Sequence, residues 1–375
     1  MKRCLNGTRL NHVRAFVLTQ RPRPGTLPDL LQLADIAPPT PRRRDVVVRV
    51  AAATINIDDI HVAEGTFYGG LPIGPRPKAD RPVVPGSDLA GTVVAVGSKV
   101  RSVQVGDAVF GVQIPFRAGG AWAELCAVNE SWIARKPESV SFATAAASGV
   151  SGLVALSAVQ AVKAREGRRM VIVGATGGIG AMAVQLATRT GAEVIGICGT
   201  RNIERAYRLG CSLVVDYSSG PWDVTLREQE RAPVDGVLDM VGGRDAEEMG
   251  RRVLKKDGVF ASVVGPVRFI GDQPLGWSAI TRILAHVGWR TVKSYLHGPR
   301  YVLTGPGAGG GGALTEVATE VAAGVLPPID SKVPFELEPM REALRRAKRH
   351  ENNGRIVVEI GEHRAGYKPD SPGTE

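Results

Sequence analysis

The sequence predicts an α/β protein in which a β-rich, barrel-like region is followed by a doubly wound parallel sheet. Two stretches carry this prediction. Met170 to Thr190 begins with a short apolar run, Met170-Val171-Ile172-Val173. It passes through a glycine turn, Gly174 to Gly180, into a helical stretch holding Met182, Val184 and Leu186. Strand, turn and helix in that order open a βαβ unit. Between Asp45 and Val128, short β-branched runs alternate with Gly and Asp, as in a compact barrel-like fold. With 375 residues, 43% hydrophobic and 22% charged, the chain can build a sizeable core and two domains.

Taken in order, residues 1–12 form a loose terminus, and Arg14-Ala15-Phe16-Val17-Leu18 reads as the first strand. Asp45 to Val50 is a strong strand. A segment from Ala53 to His61 follows, then a Gly- and Pro-rich loop from Gly65 to Pro85, long enough to suspect function. Three more strand regions lie in Pro85–Gly97, Val105–Gly111 and Gly119–Val128. Residues 140–165 are alanine-rich and helix-prone. After the glycine turn, Glu193 to Cys198 is the second parallel strand. Asp235–Gly243 and Gly258–Gly265 supply two later strands, each ending in glycine, where backbone can approach a ligand. Leu314–Ala323 is helical, Leu326–Val333 returns toward the first region, Leu337–Arg349 is a basic helix, Gly354–Ile360 a closing strand, and the rest a loose tail.

The glycine turn, Gly174-Ala175-Thr176-Gly177-Gly178-Ile179, has the AxGxxG spacing of a dinucleotide site. A sharp bend brings backbone to a pyrophosphate, and the helix N-terminus offers N–H groups and partial positive charge. The second strand ends in Cys198-Gly199-Thr200-Arg201. No acid stands there to exclude a 2′-phosphate, and a guanidinium suits one, so NADPH is expected over NADH. The alternative is that Arg201 is a solvated residue opening the next helix.

The formal charge of +10 favours anionic cofactors and leaves nucleic acid as a minor alternative. The basic groups at Arg42-Arg43-Arg44 and Arg341–Arg349 have acids nearby and read mostly as solvated faces. Cys4, Cys126, Cys198 and Cys211 are scattered, which indicates neither a disulfide framework nor a zinc cluster and favours a reducing compartment. No apolar run is long enough to span a bilayer. The first 27 residues are arginine-rich and acid-free, like a transit peptide, but the first strand leaves little room for one. A cytoplasmic location is expected, with the mitochondrion as the alternative.

The segment GSDLAGTVVAVGSKVRSVQVGDAVFGV, followed by GGAWAEL and GATGGIGAMAVQLA, resembles the medium-chain dehydrogenase/reductase superfamily. It is most similar to the zinc-independent quinone oxidoreductase and enoyl reductase branch, over roughly residues 13–360. The resemblance implies a GroES-like catalytic domain at 13–140, a Rossmann NADP(H)-binding domain with bridging helices at 141–325, and a return to the catalytic domain at 326–361. Asn56 and Ser87 stand where zinc-dependent members place a Cys and a His. Neither suits zinc and the closely spaced cysteines of a structural site are missing, so no metal is expected. Asp59 and Asp88 read as residues that fix loops.

Without a Lewis acid, hydride transfer to a quinone or an α,β-unsaturated carbonyl is the expected reaction. By resemblance Asn56 orients cofactor or acceptor, or simply holds its turn. His61 replaces a common Tyr, and Tyr68 follows Phe67 one residue later than the usual Tyr; both are candidate proton donors. Tyr217 falls beside the adenosine phosphate, Val241-Gly242 and Val264-Gly265 near ribose and nicotinamide, and Arg355 near the phosphates or at the surface. A homodimer through the edge of the Rossmann sheet is implied. The alternatives are an enoyl-thioester reductase and a non-catalytic NADPH-binding protein like the zeta-crystallins, possibly binding RNA.

Overall fold

The computed structural model describes residues 12–67, 74–114, 117–268, 270–272, 274–306 and 310–361. Strands β1 (Val13–Val17) and β2 (Gln32–Ile36) form a two-stranded antiparallel ribbon around the short helix α1 (Leu27–Leu30). The barrel sheet is centred on β3 (Asp45–Ile55), which pairs antiparallel with β4 (Asp88–Val96); β5 (Ala108–Val112), β6 (Leu125–Asn129) and β7 (Ile133–Arg135) complete its N-terminal part. Only Arg49 and Ala51 of β3 escape full burial. A strand covered on both faces reads as continuous Val and Ala rather than as an alternation. Between β3 and β4 lies α2 (Ile57–Glu64), ended by Gly65 in the left-handed conformation at φ 73°.

Helices α3 (Phe142–Ala147) and α4 (Gly149–Ala161) bridge to the second sheet. Ser141 caps α3 by accepting from Thr144 N–H. The apolar residues of α4 pack in a core cluster that holds Phe110 and Ala90 of the barrel together with Met170 and Ile172 beyond it. A helix apolar on nearly every side belongs in such an interior.

The second sheet is parallel throughout. Its strands are β8 (Arg169–Val173), β9 (Glu193–Cys198), β10 (Leu213–Asp216), β11 (Val234–Asp239), β12 (Leu254–Ser262) and β13 (Arg300–Leu303), in the order 10-9-8-11-12-13. Helices α5 (Gly178–Arg189), α6 (Ile203–Leu209), α7 (Trp222–Glu228), α8 (Arg244–Val253) and α9 (Trp277–Leu296) connect successive strands. The strand order reverses at β8 and β11, and the crevice outside the carboxyl ends of a doubly wound sheet opens at such a point. Helix α10 (Gly310–Ala322) leads back to the barrel, where β14 (Ile329–Pro334), α11 (Leu337–Lys348) and β15 (Arg355–Glu359) finish the fold. β15 pairs antiparallel with β3, Ile356 opposite Ile55. The expected two-part α/β architecture is what the chain adopts. Helices α6 to α9 and strand β13 had no individual sequence assignment. Among the described residues no helix is long and apolar enough to cross a membrane.

Candidate active site

The crevice is built from main chain. Gly174, at φ 78°, turns the chain out of β8, and its N–H donates to Ile197 O at 3.0 Å. A Cβ on Gly180 would stand 2.1 Å from Gly174 O, so only glycine lets α5 pack this closely on the turn. Gly177 is the N-cap of α5 and contributes no side chain, which leaves the first N–H groups of that helix open to an anion. Two further turns stand beside this one. Asp239, buried at the end of β11, accepts from Val241 N, Gly242 N and Ser262 Oγ at 2.9–3.0 Å. Ser262 Oγ accepts from Gly265 N in turn. Val264 packs where a Gly242 side chain would be, and Val241 lies against Gly174. The structure thus gathers Gly174 to Ile179, Val241, Gly242, Val264 and Gly265 around one crevice.

Arg355 joins this crevice to the barrel. Its side chain lies against Gly178, where a Cβ would meet Arg355 Cδ at 2.6 Å. The Arg355 Nη2 donates to Asp88 Oδ2 at 3.1 Å, while its Nε is buried with no partner. An orphaned guanidinium N–H beside an uncapped helix N-terminus fits a dinucleotide phosphate. Asp88 itself is fully buried. It accepts from Thr54 Oγ1 at 2.7 Å, Asn56 Nδ2 at 3.0 Å and Val150 N at 2.7 Å, and so ties β3, α2, α4 and β15 together.

On the barrel side, Asn56 Nδ2 also donates to Ser87 Oγ at 2.9 Å, and Ser87 stands beside Asp59. Asn56 Oδ1 is buried without a partner. Burial pushes the Asp59 carboxyl up to about 7, helped by the nearby Asp88 and Asp58 charges and opposed by the hydrogen bond from Asn56 N–H and by the neighbouring Ser87 hydroxyl. Asp59 and Ser87 line a small pocket of about 40 Å³ with Val62, Val84 and Gln113. Gly86, at φ 98°, makes room for the indole of Trp122, whose Nε1 donates to Thr54 O at 2.8 Å. An amide and a hydroxyl engaged in this way are not a zinc donor set. Among the described residues no three His, Cys, Asp or Glu side chains converge as metal ligands.

His61 lies apart from that pocket. Its Nε2 faces Asp272 Oδ1 at 3.2 Å, its Nδ1 faces Asp58 Oδ1 at 3.7 Å, and the Gly271 backbone lies on the ring. Asp272 also meets His350 Nε2 at 3.0 Å. Hydrogen bonds from His350 and His61 and the charge of Lys348 hold its carboxyl below the usual range, against partial burial. Tyr68 falls outside the described residues.

At the carboxyl end of β9, where the sequence places the adenosine, Thr200 and Arg201 sit exposed on the turn, and the Tyr217 hydroxyl stands over Gly199. The structure adds an acid here. Asp216, ending β10, accepts from Thr200 Oγ1 at 2.5 Å and from Ser218 N at 2.8 Å, and these bonds hold its carboxyl below its ordinary range. The sequence placed no acid after β9; the carboxylate comes from the neighbouring strand.

Residues 42–138 match the alcohol dehydrogenase GroES-like domain, and residues 209–358 match the zinc-binding dehydrogenase family. The chain belongs to the medium-chain dehydrogenase/reductase superfamily. Within that superfamily it is an oxidoreductase, similar to a mitochondrial NAD(P)H oxidoreductase, RTN4IP1, of Bos taurus. The two are 29% identical over 336 residues, covering 84% of this chain and 82% of that one. It is also similar to a chloroplastic NADPH-dependent alkenal/one oxidoreductase of Arabidopsis thaliana, 26% identical over 88% of this chain and 76% of the relative. The fold overlays a quinone oxidoreductase from Coxiella burnetii with a TM-score of 0.70 at 23% identity, over 93% of this chain and 99% of the other. The names of these relatives support a nicotinamide cofactor for the chain.

Proposed function

We propose that the chain is a metal-independent, NADPH-dependent reductase of quinones or α,β-unsaturated carbonyls. One observation carries the proposal: a line of hydrogen bonds and contacts runs from Asp59 in the proposed acceptor pocket through Asn56, with Ser87 beside it, and through Asp88 and Arg355 to the glycine turn at Gly178. NADPH bound in the crevice supplies the hydride. The N–H groups of α5 and Arg355 Nε would hold phosphate, and Asn56 Oδ1, turned toward Asp59 N–H in the α2 capping box, would keep a lone pair for an amide N–H. Asp59 is protonated below about pH 7 and sits where Ser87 can relay its proton to the acceptor. Hydride and proton together complete a two-electron reduction. With both ring nitrogens facing carboxylates, His61 holds the 270–272 segment against α2 and is a positioning residue. The zinc-ligand positions hold groups that serve this proton relay instead of a metal.

The deciding experiment is NADPH oxidation by chelator-treated protein against quinones, enals and enones. Turnover that survives chelation supports the reading. NADPH binding without turnover of any acceptor would replace it with a non-catalytic role. Arg201 beside Thr200 favours NADPH, while the Asp216 carboxylate opposes a 2′-phosphate. We place the balance with NADPH because the sequence offers no acid at the end of β9 itself.

The chain is proposed to be a homodimer. Trp277, Leu284, Val292 and Tyr295 are exposed on α9, and Leu303 is exposed on β13, the edge strand of the parallel sheet. A two-fold partner would cover this apolar stripe and the open edge together. Leu284→Glu should shift the sedimentation coefficient toward the monomer. A mitochondrial site gains support from the name of the bovine relative, and organelle fractionation tests it against the cytoplasm.

A further inference from the structure

Between β12 and α9 the chain leaves the crevice for the barrel. It starts from the turn at Val264-Gly265, passes Arg268, whose Cβ lies 3.4 Å from where a Gly243 side chain would stand, and brings Ile270 to Asp272 against α2. Gly271, at φ 103°, lies so close to the His61 ring that a Cβ there would stand 2.4 Å from Nδ1. Only glycine allows that approach. Asp272 then enters a cluster supplied by the barrel. Its Oδ1 faces His61 Nε2 at 3.2 Å and its Oδ2 faces His350 Nε2 at 3.0 Å. Lys348 Nζ stands 3.8 Å from Oδ1 and donates to the Asp272 main-chain O at 3.4 Å. These partners lie 211, 78 and 76 residues away in sequence, so the contacts join the two halves of the molecule.

Two further carboxylates share the cluster. Glu64, buried at the end of α2, accepts from Lys348 Nζ at 3.1 Å, and Asp58, at the exposed rim, stands 3.7 Å from His61 Nδ1. Asp58, Glu64 and Asp272 thus face one ammonium, and their charge is balanced only when both imidazoles carry protons. The ring chemistry agrees. A neutral imidazole has one N–H, and His61 has a carboxylate at each ring nitrogen, so only the imidazolium presents an N–H to both. His61 also lies in the last turn of α2, where the helix dipole favours a cation. We infer that Asp272 is a positioning residue that fastens the crevice turn of the parallel sheet to the barrel, and that this clasp is pH-sensitive, firm while His61 and His350 are protonated and loosened when they are neutral. Imidazole charge changes between about pH 5 and 8, so the clasp strengthens toward acid. The inference rests on the reductase reading only for its consequence, that the crevice releases its nucleotide more slowly when the clasp is firm.

The test follows amide exchange of residues 270–272 in the intact chain, referred to the intrinsic rate at each pH. A charge-assisted hydrogen bond outweighs a neutral one, so in wild type protection should be about tenfold greater near pH 5.5 than near pH 8. Asp272→Asn should show no pH response. His350→Gln, which leaves the buried His61 in place, should lose part of the difference. Asp59→Asn should keep all of it, which separates the clasp from the proton relay. Equal protection at both pH values in wild type, a difference that survives in Asp272→Asn, or one that vanishes in Asp59→Asn overturns the clasp. Release of NADPH, followed by stopped-flow fluorescence, is the second readout. It should be about tenfold slower at the lower pH in wild type and equal at both in Asp272→Asn. Release indifferent to pH while exchange responds overturns the link to the crevice. A protein that binds no NADPH removes the reductase reading, and amide exchange still decides the clasp.

Discussion

The crevice on the parallel sheet and the pocket on the barrel are linked through Arg355, Asp88 and Asn56, yet they are made of different material. The crevice is main chain: three turns whose glycines and buried Asp239 fix N–H groups in space. The pocket is side chain, assembled from Asp59 on α2, Ser87 before β4 and Gln113 after β5. A site made of backbone changes little when its surface residues change, so it can serve one cofactor across many proteins. A site made of side chains from separate loops is remade by a few substitutions, and specificity resides there.

The sharpest way to break the contrast is at the joint. Asp88→Ala strips Arg355 of its partner and leaves Thr54, Asn56 and Val150 unsatisfied. Removing one partner of a buried pair costs about 3–5 kcal/mol, so urea denaturation should show most of the stability gone. Within the crevice, Gly180→Ala drives a methyl into Gly174 O. It should cost about 1–3 kcal/mol by overpacking and weaken NADPH binding, measured by fluorescence titration, while the acceptor KM stays put. If acceptor affinity falls equally, the two halves are not separable.

On the pocket side, Asp59 makes a prediction about pH. Its folded pKa, about 7, lies above the ordinary carboxyl value. The folded state therefore binds the proton more tightly than the unfolded one. The stabilisation is complete below the unfolded pKa and is lost as pH rises through about 7. Stability should fall over that window, and kcat/KM should fall above it. In Asp59→Asn the stability slope should vanish and turnover should drop by about 10²-fold, with NADPH affinity retained. A pH profile identical to wild type would remove Asp59 from the reaction. The smallest expected effect is at the adenosine end. Arg201→Ala should shift the NADPH-to-NADH preference by about tenfold toward NADH, and Asp216→Asn should shift it the other way. No change in either variant would leave cofactor choice to residues other than these.

The same division governs what could be read from the sequence. The AxGxxG turn and the barrel runs are local patterns and lie where the sequence put them; β11 and β12 stop at Asp239 and Ser262, short of the glycines expected to end them. Asn56 was legible as a turn residue, but its engagement with Ser87 and Asp88 joins positions 31 and 32 residues away. Asp59 and Asp88 were readable only as loop-fixing acids, because burial, which raises one and pairs the other, is a property of the whole fold. Asp216 escaped notice for a similar reason. A search for an acid at the end of one strand overlooks the carboxylate that the adjacent strand brings beside it. Arg355 stood undecided between surface and phosphate, and only the packing of β15 on β3 brings it to Gly178.

That packing has a consequence for the order of synthesis. Arg355 and Asp88 are 267 residues apart, so a chain emerging from the ribosome can complete its barrel hairpins and its glycine turn long before their shared arginine exists. Until β15 docks, Asp88 is a buried carboxylate without its cation and the turn lacks one of its donors. Truncation before β15 removes both the Arg355–Asp88 pair and the strand beside β3, so it should loosen the link between the two halves.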